Sequence, residues 1–207
     1  MMTRRLAVYL LLDTSGSMRG EPIASVNSGL KAMLASLRQN TQASAAVHMA
    51  IITFDSQIKE VVPLTPLAQL NLPMIVCPES GATFLGEGLA TVCQRVDRDL
   101  NIDDQHDWPP LLFIMTDGKP SDTLAFSEAI TDIKARRFGQ IVACAAGTKA
   151  DASALKRLTE TVVSLDTMDS TSFAGFFRWL SATVSANQHS ETSMTLPPPP
   201  AEIHIVI

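Results

Sequence analysis

Oxygen-bearing side chains follow an apolar segment near the start of the chain. The run from Leu6 to Leu12 is followed by Asp13, and Ser15 and Ser17 come at alternate positions after it. Carboxylate and hydroxyl oxygens suit hard cations such as Mg²⁺. Alternate residues of an extended loop can present their side chains on one side, so these three residues are candidate ligands of a divalent cation. The same residue types are common in turns and at helix N-caps, and this stretch alone leaves both interpretations open.

Two further segments carry side chains of the same kind. The apolar run from Leu111 to Met115 leads into Asp117, and Thr83 comes just before a helical pattern. A threonine at that position has an alternative role as the helix N-cap. Whether these residues join Asp13 at one site depends on how the chain arranges the elements that carry them.

Apolar strand-like segments alternate with amphipathic helical patterns along the chain. This alternation predicts an α/β domain with a mostly parallel sheet covered by helices on both faces, and the second and third strands are expected to pair as a hairpin. The six predicted strands are Leu6–Leu12, Ala46–Phe54, Gln57–Leu64, Leu111–Met115, Gln140–Gly147 and Thr161–Leu165. With right-handed crossovers, the loops after the first and fourth strands meet at the switch point of such a sheet. The order therefore predicts one five-residue cluster at the sheet's carboxyl edge: Asp13, Ser15, Ser17, Thr83 and Asp117.

Bulk composition narrows the class of protein. The chain has 207 residues, 46% of them hydrophobic, which is enough for one compact domain. Its net charge of −5 and the lack of a basic block argue against nucleic acid as a partner. No apolar run is long enough to span a membrane. The three cysteines show no metal-binding or disulfide spacing, so a reducing, cytoplasmic location is expected.

The composition changes near the end of the sequence. We expect one domain over residues 1–186 and a tail over residues 187–207, in which Pro197–Pro200 precede a strand-like segment at Ile203–Ile207. That segment can add a strand to this domain or pair with a partner. The polar stretch from Asn101 to Pro110, with Asp103, Asp104, His106 and Asp107, is interpreted as a solvent-exposed loop.

Taken together and in order, the three segments resemble the metal-ion-dependent adhesion site of von Willebrand factor A domains. The resemblance rests on Asp13-x-Ser15-x-Ser17, on Thr83 after Gly81-Ala82, and on Thr116-Asp117-Gly118, and it covers about residues 4–186. It implies a single Rossmann-like, doubly wound α/β domain, whose six-stranded sheet is parallel except for one antiparallel edge strand and has helices on both faces.

The resemblance also implies how the site would work. Ser15, Ser17 and Thr83 would ligate the metal directly, while Asp13 or Asp117 would act through water. The cation would be Mg²⁺, or Mn²⁺ or Ca²⁺, and an acidic side chain from a protein partner would complete its shell. The chain would then be a non-enzymatic binding module.

Within that family the compact chain looks like the bacterial TerY-type proteins associated with tellurite resistance. This similarity implies a phospho-signalling complex with a serine/threonine kinase and a PP2C-type phosphatase. Lys119 stands where several relatives carry an acidic residue. Lys119 could help to hold an acidic ligand, or it could lower the affinity for the metal by repelling the cation.

The alternative function is a metal-dependent hydrolase with Asp13 as the nucleophile. Phosphatases of the haloacid dehalogenase type begin with an aspartate in this place, but they need a second aspartate two positions later as the general acid. That position is Ser15 in this sequence. The residue types therefore favour binding over catalysis.

Overall fold

Strands and helices alternate in the computed structural model, which describes residues 4–79, 81–101, 106–187 and 195–206. Within these ranges the strands are β1 (Arg5–Asp13), β2 (Val47–Phe54), β3 (Ile58–Pro66), β4 (Asp107–Thr116), β5 (Gln140–Ala146), β6 (Val162–Leu165) and β7 (His204–Ile205). They form a seven-stranded sheet in the order β3-β2-β1-β4-β5-β6-β7. Neighbouring strands are parallel except at the two edges, where β3 and β7 run antiparallel to β2 and β6.

The predicted six-stranded sheet was therefore one strand short. The tail returns to the domain: Trp179 Nε1 donates to the Pro197 carbonyl at 2.8 Å, and Val206 N donates to the Val162 carbonyl at 2.9 Å. Ile203 is buried against the core. Without β7, the edge of β6 would have unpaired backbone donors and acceptors that any strand could pair with. The sequence pattern alone does not show whether this strand comes from the same chain or from a partner.

Six helices cover the two faces of the sheet in the described part of the chain. They are α1 (Glu21–Gln39), α2 (Thr41–Ala46), α3 (Leu85–Asp99), α4 (Thr123–Lys134), α5 (Ala152–Lys156) and α6 (Ser170–Asn187). Helices α1 and α6 pack on one face, and α3, α4 and α5 pack on the other. Successive side chains of β1 enter the two cores alternately, which explains why its sequence is apolar at nearly every position.

Helix α2 was not predicted from the sequence. Its six residues carry too little apolar periodicity to reveal a helix. Asn40 starts it, because the Asn40 side chain accepts hydrogen bonds from the backbone N–H groups of Gln42 and Ala43.

The prediction of a solvent-exposed loop from Asn101 to Pro110 was wrong from Asp107 on, because residues 107–110 are the first four of β4 and none of them is exposed. Asp107 is fully buried, and Arg5 donates to both of its oxygens, from Nε at 2.6 Å and from Nη2 at 2.7 Å. A buried carboxylate is tolerated when paired in this way. Asp103 and Asp104 lie outside the described residues.

Asp122 caps a helix other than the one it precedes. It stands at the N-cap of α4, but its carboxylate accepts from Gly86 N at 3.1 Å and Glu87 N at 2.8 Å, in the first turn of α3. The start of α3 is therefore tied to the loop after β4.

We expect Asp122→Ala to lower the free energy of unfolding by about 1 kcal/mol, since it removes a side-chain cap. Chemical denaturation measures this change. Asp132→Ala, at an exposed position on α4, is the control and should leave the stability unchanged or slightly raised. Equal stabilities for the two variants would show that the cross-helix cap contributes nothing.

Candidate metal centre

The two segments with aspartates lie side by side at the carboxyl edge of the sheet. Strands β1 and β4 are parallel neighbours with Leu12 opposite Met115, and Asp13 and Asp117 come at or just after their ends. The chain leaves β1 towards β2 and leaves β4 towards β5, in opposite directions along the sheet. This is the switch point that the sequence predicted, where ligands of open α/β sheets bind.

The hydroxyl groups of the first loop reach the second aspartate. Ser17 Oγ donates to Asp117 Oδ1 at 2.9 Å, and Ser15 Oγ lies 3.3 Å from Ser17 Oγ. Three of the predicted site residues are therefore in hydrogen-bond contact, although Ser17 and Asp117 are 100 positions apart.

Thr83 joins the cluster from the loop before α3. Its backbone pairs with Ser121, which donates from N to the Thr83 carbonyl at 2.8 Å and accepts from Thr83 N through Oγ at 3.1 Å. The Thr83 hydroxyl faces Gly118 so closely that a Cβ at Gly118 would lie 3.2 Å from Thr83 Oγ1. Thr83 is not an N-cap, because Phe84 occupies that position on α3.

Asp13 is the most enclosed member of the cluster. It is fully buried, Oδ1 accepts from Ser15 N at 2.7 Å, and Oδ2 accepts from Thr116 Oγ1 at 2.6 Å. Burial raises the pKa of Asp13 to about 6; the two hydrogen bonds oppose that rise and the charge of Asp117 adds to it. Near neutral pH the buried, ionised Asp13 therefore lowers the stability of the metal-free fold.

Only one predicted ligand opens to solvent. Asp13, Ser15, Thr83 and Asp117 are all buried, whereas Ser17 is exposed. An ion at this cluster would be enclosed on most sides and accessible next to Ser17.

The residue set fits a hard divalent cation. Two buried carboxylates lie close together, and a cation between them would offset both charges. Among the described residues, no three histidine, cysteine, aspartate or glutamate side chains converge on a metal position. Hydroxyl oxygens must therefore supply part of the shell, which suits Mg²⁺ with its preference for oxygen ligands and retained water.

Two supporting residues escaped the sequence reasoning as functional positions. Thr116 holds Asp13 as described above, and Asp55, the residue directly after β2, is a third buried carboxylate at this edge. Asp55 Oδ2 accepts from Thr14 Oγ1 at 2.9 Å, and its backbone carbonyl accepts from Phe84 N at 3.1 Å. Asp55 thus ties the first loop to the loop of Thr83. The sequence did carry a signal for Asp55: like the first and fourth strands, the apolar second strand is followed by an aspartate.

We expect Thr116→Val to weaken Mg²⁺ binding by about 10- to 100-fold, because partners that orient a ligand typically contribute that much. The variant should also lose about 1–3 kcal/mol of stability, since a buried carboxylate oxygen loses its donor. Calorimetric Mg²⁺ titration and urea denaturation measure the two effects. Thr53→Val, at a buried position on β2, is the control and should keep wild-type Mg²⁺ affinity. Equal Mg²⁺ affinities for both variants would refute the positioning role of Thr116.

Comparison with known proteins gives a family match. The sequence model of the von Willebrand factor type A domain matches residues 7–174. A search of curated proteins finds no significant match.

Solved structures with a similar fold include three kinds of protein. A von Willebrand factor type A protein from Catenulispora acidiphila is 16% identical, with a TM-score of 0.65 over 88% of this chain and 43% of its own. Proximal thread matrix protein 1 from the mussel byssus, with a zinc-occupied MIDAS motif, is 15% identical, with a TM-score of 0.60 over 88% of this chain and 48% of its own. The pilus adhesin SpaC from Lactobacillus rhamnosus GG is 14% identical, with a TM-score of 0.69 over 89% of this chain and 31% of its own.

These likenesses show the fold, and the chain spans less than half the length of each of the three proteins. None of the helices in the described ranges has the length and apolar character needed to cross a membrane.

Proposed function

The chain belongs to the von Willebrand factor type A domain family, and on that premise we propose that it is a non-enzymatic, Mg²⁺-dependent protein-binding module. Ser15, Ser17 and Thr83 would hold the cation directly, and Asp13 and Asp117 would hold it directly or through water. A cation held partly by neutral hydroxyls keeps positive charge, so it attracts a carboxylate. The acidic side chain of a protein partner would take the open position beside Ser17.

One observation carries this proposal. Side chains from three separate segments meet at one point, with the Ser17–Asp117 contact at 2.9 Å and two buried carboxylates nearby. A fold gains nothing from burying two carboxylates together unless something offsets their charge.

The donor set favours Mg²⁺, with Mn²⁺ and Ca²⁺ as the other candidates. All five proposed ligands offer oxygen, and neither thiolate nor imidazole is among them. Oxygen-only sites suit these three cations, whereas sulfur and imidazole nitrogen favour zinc.

The surroundings of Asp13 support binding rather than hydrolysis. Both Asp13 oxygens accept hydrogen bonds from the protein, and the side chain is fully buried. A nucleophilic aspartate needs an oxygen free to reach the substrate, and the position of the general acid holds Ser15. An assay with p-nitrophenyl phosphate and Mg²⁺ tests this part. Turnover that Asp13→Asn abolishes would favour the hydrolase.

The resemblance to TerY-type proteins extends the proposal to a cellular setting. The partners would be a serine/threonine kinase and a PP2C-type phosphatase in the bacterial cytoplasm, as parts of a tellurite-resistance complex. Co-purification of the chain with each candidate from native cells, in Mg²⁺ and in EDTA, tests this extension separately from the metal site.

The binding proposal is tested with a library of displayed nonapeptides that each carry a random sequence. Peptides retained by the wild-type chain in Mg²⁺ and released by EDTA should be enriched in aspartate or glutamate. The Asp13→Ala variant, checked for folding by circular dichroism, should retain none of them. Retention that is equal in EDTA, or equal for Asp13→Ala, would overturn the proposal.

A further inference from the structure

A groove runs along α1 beside the candidate metal centre. It encloses about 460 Å³ between the first half of α1 and the segment 74–77. Its apolar lining includes Ile23, Met74 and Val76, and its two cations are Arg19 and Lys31. Met74 and Val76 are 72% and 70% exposed, which is unusual for large apolar side chains.

The far wall of the groove is fixed to the helix by one buried side chain. Asn27 Nδ2 donates to the Ile75 carbonyl at 2.8 Å, and Asn27 Oδ1 accepts from Ile75 N at 2.9 Å. Arg19 holds the chain just after this segment, since Arg19 Nη1 donates to the Glu79 carbonyl at 3.1 Å. The groove is therefore preformed, which lowers the entropic cost of binding a ligand there.

The groove begins next to the open side of the metal centre. Arg19 lies two positions after Ser17, so their Cα atoms are no more than about 7 Å apart. Cys77 lies at the other wall. Burial raises the pKa of its thiol to about 11, and the negative charges of Asp13, Asp55 and Asp117 contribute to that rise. A ligand bound beside Ser17 can therefore continue into the groove.

The charge of the groove is opposite to that of the whole chain. The chain carries −5, whereas the residues that line the groove include two cations and no acid. The distance along α1 from Gly20 to Lys31 is about 16 Å, which an extended peptide covers in about five residues. A carboxylate bound beside Ser17 starts up to about 7 Å before this span, so it stands about five to seven residues from an acid that faces Lys31.

We propose that this groove selects the partner: an extended peptide whose metal-binding aspartate or glutamate is followed by a bulky apolar residue and, about five to seven positions on, by a second acidic residue. The apolar side chain contacts Ile23, Met74 and Val76, and the second acid faces Lys31. This inference rests on the proposed function, since the first acid needs the cation beside Ser17.

The test uses displayed nonapeptides with one fixed aspartate and all other positions random. The wild-type chain in Mg²⁺ should enrich leucine, isoleucine, phenylalanine or methionine within three positions after the aspartate, and a second acid about five to seven positions after it. A synthetic peptide of the enriched sequence is then titrated into the variants by fluorescence anisotropy.

Two exposed apolar residues are changed without adding charge. Met74→Ser combined with Val76→Ser should weaken the peptide about tenfold and leave Mg²⁺ affinity within twofold of wild type. Leu124→Ser is the matched control, because Leu124 is 74% exposed and does not line the groove. It should bind the peptide as the wild type does. Lys31→Glu should weaken only peptides that carry the second acid.

The outcomes separate the two proposals. Mg²⁺-dependent peptide binding that is unchanged in the Met74→Ser, Val76→Ser chain overturns the groove and leaves the metal-dependent module standing. Mg²⁺-dependent retention of these fixed-aspartate peptides with no preference for an apolar residue or a second acid does the same. A wild-type chain that binds no Mg²⁺ overturns the proposed function, and the groove inference falls with it.

Discussion

Asp13→Asn is expected to weaken Mg²⁺ binding by more than about 100-fold and, in EDTA near pH 7.5, to make the protein more stable than the wild type. The loss of affinity follows because even residues behind the ligands contribute about 10- to 100-fold. The gain in stability follows because asparagine carries no buried charge and can still pair with both neighbours. Its Oδ1 can accept from Ser15 N, and its Nδ2 can donate to Thr116 Oγ1, which reverses the direction of that bond. The two effects have opposite signs for the same substitution, and a purely structural role of Asp13 would not produce them.

The pH dependence of the metal-free protein follows from the raised pKa of Asp13. The folded-state pKa is about 6, against 3.8 as the ordinary value. Protonation of the buried carboxyl therefore stabilises the fold fully below pH 3.8, and this contribution is lost as the pH rises from there through about 6. The lost contribution is about 2–3 kcal/mol. In EDTA, the difference in stability between Asp13→Asn and the wild type should grow over that range and then level off.

Urea denaturation of both chains in EDTA at several pH values between 5 and 7.5 measures this difference. Asp132→Asn, at an exposed position, is the control and should track the wild type at every pH. A difference between Asp13→Asn and the wild type that stays constant with pH would contradict the account of a strained, charged Asp13.

Gly86→Ala is expected to reduce the free energy of unfolding by more than about 3 kcal/mol, at or beyond the upper end for overpacking. A Cβ at Gly86 would lie 2.2 Å from Phe126 N and 2.6 Å from Phe126 Cα. These are backbone atoms of α4 and have no rotamer to change, so α3 and α4 would have to separate. Thr83 lies two residues before the start of α3 and would move with it, so Mg²⁺ affinity should fall as well.

Gly88→Ala is the matched control for Gly86→Ala. It places the same substitution in the same helix, but its new Cβ would meet mainly side-chain atoms, the nearest being Leu11 Cδ1 at 3.1 Å. Small movements of that side chain and the higher helix propensity of alanine should keep the change within about 1 kcal/mol. Thermal and urea unfolding of the two variants decide between them. Equal stabilities of the two variants would show that α3 and α4 can accommodate a Cβ at Gly86 without separating.

The sequence predicted those features of the fold that depend on local pattern and strand order. Apolar strands, one-sided helices and the β2–β3 hairpin are local properties. The position of the site followed from topology, because only the switch point brings the ends of β1 and β4 together. The structure brings Ser15, Ser17 and Asp117 into contact there. Their ligation of a metal stays a prediction.

The features that sequence did not predict depend on pairings between distant residues. The seventh strand needs the exposed edge of β6, which a single sequence does not display. Asp122 reads as the cap of α4, yet it caps α3, because the two helices approach closely at Gly86. Asp107 reads as part of a solvated loop until Arg5 is seen beside it. In each case a tertiary partner overrides a correct local preference.

The central claim is that one divalent cation binds where the three loops meet. Its most direct test is a Mg²⁺ titration of the ¹⁵N-labelled protein followed by amide chemical shifts. We expect saturable shifts, fitted by one site, at Ser15, Ser17, Thr83 and Gly118, and we expect Asp13→Asn to lose them. Shifts that stay confined to exposed acids such as Asp97 and Asp132, or no shifts at millimolar Mg²⁺, would contradict it.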